Sequence, residues 1–194
     1  MNSDIEKFLL QYANFSDAEL ESIVNAFTSR QVRKNDYLLR SGDVCKDIVF
    51  LRKGCLRLYY LIEDVEVSVW FTFPQSSAIE IYSFISESPS NYFIQAIEDS
   101  EVLYLSKNQL TELYSHQPKM QEMMRKFWED VILNLIKRFT ALQTDSAEKR
   151  YLELLKKPDY LATIPQKYLA SFIGVTPTSL SRIRKKIIKG HYLS

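Results

Sequence analysis

Histidine and cysteine are scarce. The 194 residues include two of each: His116, His191, Cys45 and Cys55. No CxxC, no Cys/His cluster and no HExxH helix can be assembled from them, so zinc and iron–sulfur frameworks are disfavoured and no metal site is expected. The two cysteines are expected to be reduced and partly buried, because free Cys behaves as a small apolar residue. Long apolar runs are missing too. Nothing approaches the ~20 residues that span a bilayer. The opening MNSDIEKFLL carries acids where a secretory signal has a basic region. A soluble cytoplasmic protein with no membrane partner is therefore expected. GxGxxG, Walker A and GxSxG motifs are absent, as are repeats and low-complexity tracts. With no catalytic constellation left, the expectation is a protein that is not an enzyme and requires no cofactor.

What is present is enough apolar residue, 46 %, for a packed core in one large or two small domains. The net charge of +1 hides an asymmetry. From Glu148 onward there are ten Lys/Arg against three Asp/Glu; before it, fifteen against twenty-one. A near-neutral chain with one basic end points to an anionic partner for that end.

Two short helices are expected over residues 3–12 and 16–27, the second opened by a capping box of Ser16 and Glu19. From about Thr28, short β-rich runs alternate with the turn signals RSGD, RKG and EDV. In CLRLYYLI, Leu56, Leu58, Tyr60 and Ile62 alternate with Arg57, Tyr59 and Leu61, a strand period of two. VEVSVWFTF, YFIQAI and EVLYL read the same way, and together they predict an antiparallel barrel or jelly roll. Ser106 and Gln109 open a helix to about Ser115. Pro118 opens a longer one to about Gln143. Along it Met120, Met124, Phe127, Val131, Leu135, Phe139 and Leu142 form one stripe, and Met123, Trp128, Ile132 and Ile136 form a second row. A stripe this broad predicts a dimer seam, with Met124, Phe127, Val131, Leu135 and Leu142 in it. AEKRYLELLKK is helical, and PDYLATIP breaks it.

The basic end has helix-turn-helix spacing. Ala170 is the small residue where two helices touch. Gly174 takes the positive φ of a sharp turn. Leu180, Ile183 and Ile187 are the buried row of the second helix. Thr176 caps that helix and Pro177 begins it. Its other face carries Thr178, Ser179, Arg182, Lys185 and Lys186. Arg182 can reach a guanine edge bidentately, whereas Lys185 and Lys186 lie where phosphates run. Gln166 and Lys167 open the first helix, whose N-terminal amides favour a phosphate. Arg184 points sideways.

Barrel, long helix and helix-turn-helix, in that order, resemble the Crp–Fnr family of bacterial transcription regulators over essentially the whole chain. The likeness is carried by SGDVCKDIVFLRKGCLRLYY, by AIEIYSF with SPSNYFIQAIEDSEVLYL, and by LASFIGVTPTSLSRIRKKI. It implies an α+β fold: an N-terminal cyclic-nucleotide-binding-like barrel (residues 1–117), a dimerisation helix (118–146) and a helix-turn-helix DNA-binding domain (147–194) of winged-helix type. The chain's end shortly after the reading helix implies that the wing is short or absent. The resemblance further implies a homodimer on double-stranded DNA, RNA polymerase as a further partner, and a small-molecule effector in each barrel, its identity unknown. Ile79, Glu80, Tyr82, Phe84, Ser90, Asn91 and Tyr92 fall on the effector segment. Cyclic-AMP-binding members have Gly where Ile79 stands and Arg where Ser90 stands, so cyclic AMP is not the expected effector. Pro177 and Thr178 replace the Arg and Glu common after the turn, so the DNA sequence read should differ from the family's usual half-site. The alternative is a barrel that binds a ligand or protein, with a basic end for some other anionic partner.

Overall fold

The structure, a computed structural model, describes the backbone of residues 3–191 and the side chains of residues 4–188. Two helices, α1 (Ser3–Leu10) and α2 (Asp17–Asn25), lead into β1 (Thr28–Val32), β2 (Tyr37–Leu39), β3 (Asp47–Lys53), β4 (Leu56–Ile62), β5 (Val65–Thr72) and β6 (Ser76–Ala78). A short α3 (Ile81–Ser86) precedes β7 (Tyr92–Ala96) and β8 (Ser100–Ser106). The helices α4 (Lys107–His116), α5 (Pro118–Thr144), α6 (Ala147–Leu155), α7 (Pro158–Thr163), α8 (Gln166–Phe172) and α9 (Pro177–His191) complete the chain.

The strands form two four-stranded antiparallel sheets, ordered β1-β8-β3-β6 and β2-β7-β4-β5, the two walls of a jelly roll. Caps legible in the sequence set the helix starts. Ser16 with Glu19 and Ser106 with Gln109 both form complete capping boxes. At the β3–β4 corner Gly54 has φ +94°, and a Cβ there would lie 2.3 Å from Ser100 Oγ and 2.7 Å from the Asp99 carbonyl oxygen. Only glycine fits.

Two expectations are corrected, and one strand is covered more fully than its pattern requires. The stretch after Pro158 is not a plain break: Pro158 starts α7, since proline suits the first turn of a helix. Both faces of the first half of β4 are covered. Arg57 is 0 % and Tyr59 3 % exposed, because α8 lies across the outer face of the β4–β5 sheet. Met124 and Phe127 are not at an outward seam. Each is 4 % exposed and belongs to the barrel core with Met120 and Met123, because the first half of α5 closes the barrel.

Two apolar clusters result. The larger joins barrel, α1, α2 and the start of α5. The second joins Cys55, Phe71 and Ile97 of the barrel to Tyr151, Leu169, Phe172, Ile173 and Leu180 of the C-terminal helices. The C-terminal unit is thus seated on the barrel wall.

Candidate nucleic-acid interface and effector cavity

The turn between α8 and α9 is built by backbone and by Gly174, at φ +73°. The Val175 N–H donates to the Ala170 carbonyl at 2.9 Å, bringing the α9 entry against the small residue in α8. Leu180 is fully buried beneath it, and Ile183 and Ile187 are half-buried. Thr176 Oγ1 accepts from the Ser179 N–H at 3.2 Å and so caps α9.

This seating leaves Thr178, Arg182 and Lys185 exposed along one face of α9, at steps of four and three. None of the three is ion-paired or side-chain hydrogen-bonded among the described residues. The other basic-end candidates are partly engaged. Lys186 Nζ lies 2.6 Å from Glu148 of α6. Gln166 Nε2 donates to Ser181 Oγ at 2.7 Å, a strut between the two helices. Lys167 lies over the Tyr168 ring. Ser179 is half-buried, its hydroxyl against that of Thr176.

A cavity of about 200 Å³ lies between the barrel and α5. Leu56, Leu58, Trp70, Ile79, Ile94 and Val131 give it an apolar wall, with Thr72, Ser76, Ser77, Asp130 and Asn134 as the polar groups. No Lys or Arg among the described residues lines it.

Of the effector residues expected from sequence, Ile79 alone lines this cavity. Glu80 is buried, but its carboxylate accepts the Tyr82 and Ser83 N–H groups, both at 3.0 Å, as the N-cap of α3. Tyr82 is 70 % exposed. Phe84 is in the core, facing Trp128. Ser90 is buried and accepts the Tyr92 N–H, while its backbone closes the turn with Gly42 and Asp43. Asn91 is exposed, and Tyr92 packs edge-on against Tyr60. The polar groups of that segment satisfy the local backbone.

Sequence reasoning also missed the cations at the junction of barrel and C-terminal unit. Arg57 is clasped between the Tyr59 and Tyr168 rings, 4.2 and 3.6 Å away. Its Nη1 reaches Glu66 at 2.7 Å and its Nε reaches Ser68 Oγ at 2.9 Å. Its Nη2 is buried without a hydrogen-bond partner among the described residues. Beside it, the Ser68 N–H donates to Ser171 Oγ, whose hydroxyl donates to the Glu66 carbonyl. Arg138 of α5 lies flat on Phe172 at 3.6 Å and donates to the Phe172 carbonyl. Burial, with the nearby Arg150 charge, lowers its pKa to about 10. Arg150 ties α6 to the carbonyls of Ala141, Leu142 and Ile173. Both cysteines are buried and free, and burial pushes the Cys55 thiol up to about 12.

Residues 29–117 match the cyclic nucleotide-binding domain family. Electron transport regulator A of Shewanella oneidensis is 20% identical over 90% of this chain and 76% of its own length. The structure of FixK2 from Bradyrhizobium japonicum superposes with a TM-score of 0.74 at 14% identity, over 85% of this chain and 86% of that one. A putative transcriptional regulator of the crp/fnr family from Eubacterium rectale gives 0.69 at 14%, over 91% and 85%. The first and the last of these are named as regulators. At such identities the structural likeness speaks for the fold. No helix among the described residues is long and apolar enough to cross a membrane.

Proposed function

This chain is a homologue of the Crp–Fnr transcription regulators, and on that premise we propose that it is a dimeric, sequence-specific reader of duplex DNA whose barrel takes an effector other than cyclic AMP. In this reading residues 1–117 are the sensor, 118–146 the dimer helix and 147–194 the reading unit. DNA and a second copy of the chain are its partners, RNA polymerase is the machinery it acts on, and its place of work is the cytoplasm.

The observation that carries the DNA reading is the free face of α9. Thr178, Arg182 and Lys185 stand in a row above a buried Leu180, on a helix whose entry is fixed by Gly174. A helix entering the major groove by its first turns would bring Thr178 and Arg182 to base edges and Lys185 to phosphate. The dimer reading rests on Ile132, Ile136 and Phe139, 54 %, 56 % and 63 % exposed and spaced along one face of α5, with Leu135 and Leu142 at its margin. The effector reading rests on the cavity wall. A cyclic phosphate would find no cation there and would face Asp130. Burying an anion without a charged partner costs several kcal/mol.

The test is selection from a random duplex pool followed by titration at several salt concentrations. Binding should weaken steeply with salt, with a slope of about 0.9 per phosphate contacted. Arg182→Ala should cost about 1–3 kcal/mol on the selected site and relax one base pair, whereas Lys185→Ala should weaken all sequences alike. Lys186→Ala should matter less than Lys185→Ala, because Lys186 is bridged to Glu148. No enrichment from the pool, or equal losses on selected and random DNA for Arg182→Ala, would defeat the reading.

A further inference from the structure

We propose that the cleft between α5, the β5 wall and the C-terminal helices is a second ligand site, separate from the barrel cavity, for a small organic anion that carries a planar ring. The cleft encloses about 360 Å³, within the size range of small-molecule sites.

Its charge is one-sided. Lys137, Arg138, Arg150 and Lys157 line it. The two acids in its wall are already taken: Asp145 pairs with Lys149 at 2.7 Å and Glu153 with Lys156 at 2.7 Å. Lys137, Arg138, Arg150 and Lys157 have no carboxylate partner among the described residues. Arg138 and Arg150 do donate to helix-end carbonyls of α8 and α5. Those dipoles hold the guanidinium groups in place without cancelling their charge. A partly buried cation pair whose hydrogen-bond acceptors among the described residues are all backbone carbonyls is a site where an anion gains charge-assisted hydrogen bonds and relieves the repulsion between the two. Arg138 supplies the planar fork suited to phosphate or carboxylate.

The second half of the recognition is aromatic. Trp70, Tyr160 and Phe172 form walls of the same cleft. Tyr160 and Phe172 already pack against each other, tilted by 46° with a 5.8 Å centroid separation. Trp70 is the partition, since it lines the barrel cavity on one side and this cleft on the other. A flat ring against Trp70 with its anionic group at Arg138 satisfies both features.

The site is reachable in the assembly proposed above. Arg138 follows Met120, Met123, Phe127, Val131 and Asn134 along the barrel-facing side of α5, while Ile132, Ile136 and Phe139 occupy another side. Because barrel, α5 and α6–α8 all contribute walls, an occupant bridges the sensor and the C-terminal unit and fixes the angle between them.

The experiment is calorimetric titration of the full chain without DNA, with tryptophan fluorescence as a second readout. The probes are AMP (ring and phosphate), salicylate (ring and carboxylate), adenosine (ring alone) and inorganic phosphate (anion alone). The expected result is saturable binding of AMP or salicylate, the preferred one telling phosphate from carboxylate, with adenosine and phosphate each weaker by about tenfold or more. The double variant Lys137→Ala/Lys157→Ala changes exposed side chains only and should weaken binding about fivefold or more; Arg138→Met should weaken it further. If Arg138→Met does not fold, the lysine pair decides. Ile79→Gln, in the barrel cavity, should leave the affinity unchanged. No binding tighter than about 1 mM for either ring-bearing anion, equal binding in the lysine variant, or loss of binding in Ile79→Gln instead, overturns the assignment. None of these outcomes bears on whether α9 reads DNA.

Discussion

Replacing Arg57 tests whether the C-terminal unit is seated on the barrel in solution. Arg57→Ala removes the 2.7 Å bridge to Glu66, the 2.9 Å bond to Ser68 and the stacking on Tyr59 and Tyr168. Charge-assisted bonds of this kind contribute roughly 1.5–3 kcal/mol each, and a desolvated cation over a ring about 1–2 kcal/mol. Against them stand the desolvation of a guanidinium that is 0 % exposed and the unpartnered Nη2, together several kcal/mol. Glu66, 38 % exposed at its side chain, can return to water when left alone. The balance, with the hole left between two rings, is a loss of about 2–4 kcal/mol. Arg57→Met keeps an apolar stem between the rings and removes the buried charge, so it should lie within about 1 kcal/mol of the parent. Urea unfolding gives both values. Amide exchange at residues 166–172 gives the local effect, which should rise in the alanine variant before the barrel strands open. Equal losses for Ala and Met would show that the polar bonds rather than packing dominate. No loss for Ala, with unchanged exchange in α8, would refute the seated arrangement itself.

Ile136→Glu should give monomers in sedimentation at micromolar concentration that still unfold cooperatively, because Ile136 is 56 % exposed and outside both cores, the melting temperature falling only by what association contributes; a variant that remains dimeric rejects the seam. Gly54→Ala should destabilise by about 3 kcal/mol or more by chemical denaturation, since backbone and Ser100 crowd the new Cβ; a change under about 0.5 kcal/mol would contradict that corner. Burial raises both thiols, Cys55 to about 12, so neither cysteine should react with maleimide at pH 8 until the protein is unfolded. The sign follows: with folded pKa above unfolded, the stabilisation is intact below the ordinary thiol value and is lost as pH rises through the folded one. An alkaline melt should therefore show stability falling between about pH 9 and pH 12, a fall that is reduced in Cys55→Ala.

The parts of the fold legible in the sequence are those fixed by neighbours a few residues apart. Ser16 with Glu19, Ser106 with Gln109, and Ala170 with Gly174 and Leu180 act locally, so short windows reveal them. The candidate effector cavity was not legible in this way. Glu80 and Ser90 have the chemistry of ligand-binding residues, yet both spend it on α3 and the β7 turn. A side chain's preference between ligand and local backbone depends on where the chain turns, and residue type does not encode that. Arg57 illustrates the converse: an alternating strand with a charge on one face reads as half-solvated, and only the docking of α8, more than a hundred residues later, makes that charge an internal one.

The long helix shows why a single period misled. Following one side of α5 at steps of three and four, Met120, Met123, Phe127 and Val131 are apolar, and then Asn134 and Arg138 are not. Following another side, Arg125 and Glu129 form an exposed ion pair, and then Ile132, Ile136 and Phe139 are apolar and exposed. The helix inverts its polarity halfway along. A stripe drawn through all 27 residues joins the inner face of the first half to the margin of the outer face of the second, and so places Met124 and Phe127 in a seam they cannot reach. The inversion has a physical cause at each end. Below residue 131 the barrel is the apolar neighbour. Above it, the inner side meets the cationic cleft, and the apolar residues that remain are exposed among the described residues. An exposed row of three large side chains is a cost in water, and the second copy of the same helix is the surface of matching chemistry nearest to hand. The same inversion that confines the seam to the upper half of α5 keeps Arg138 clear of it, so dimerisation and occupation of the cleft are compatible on one helix.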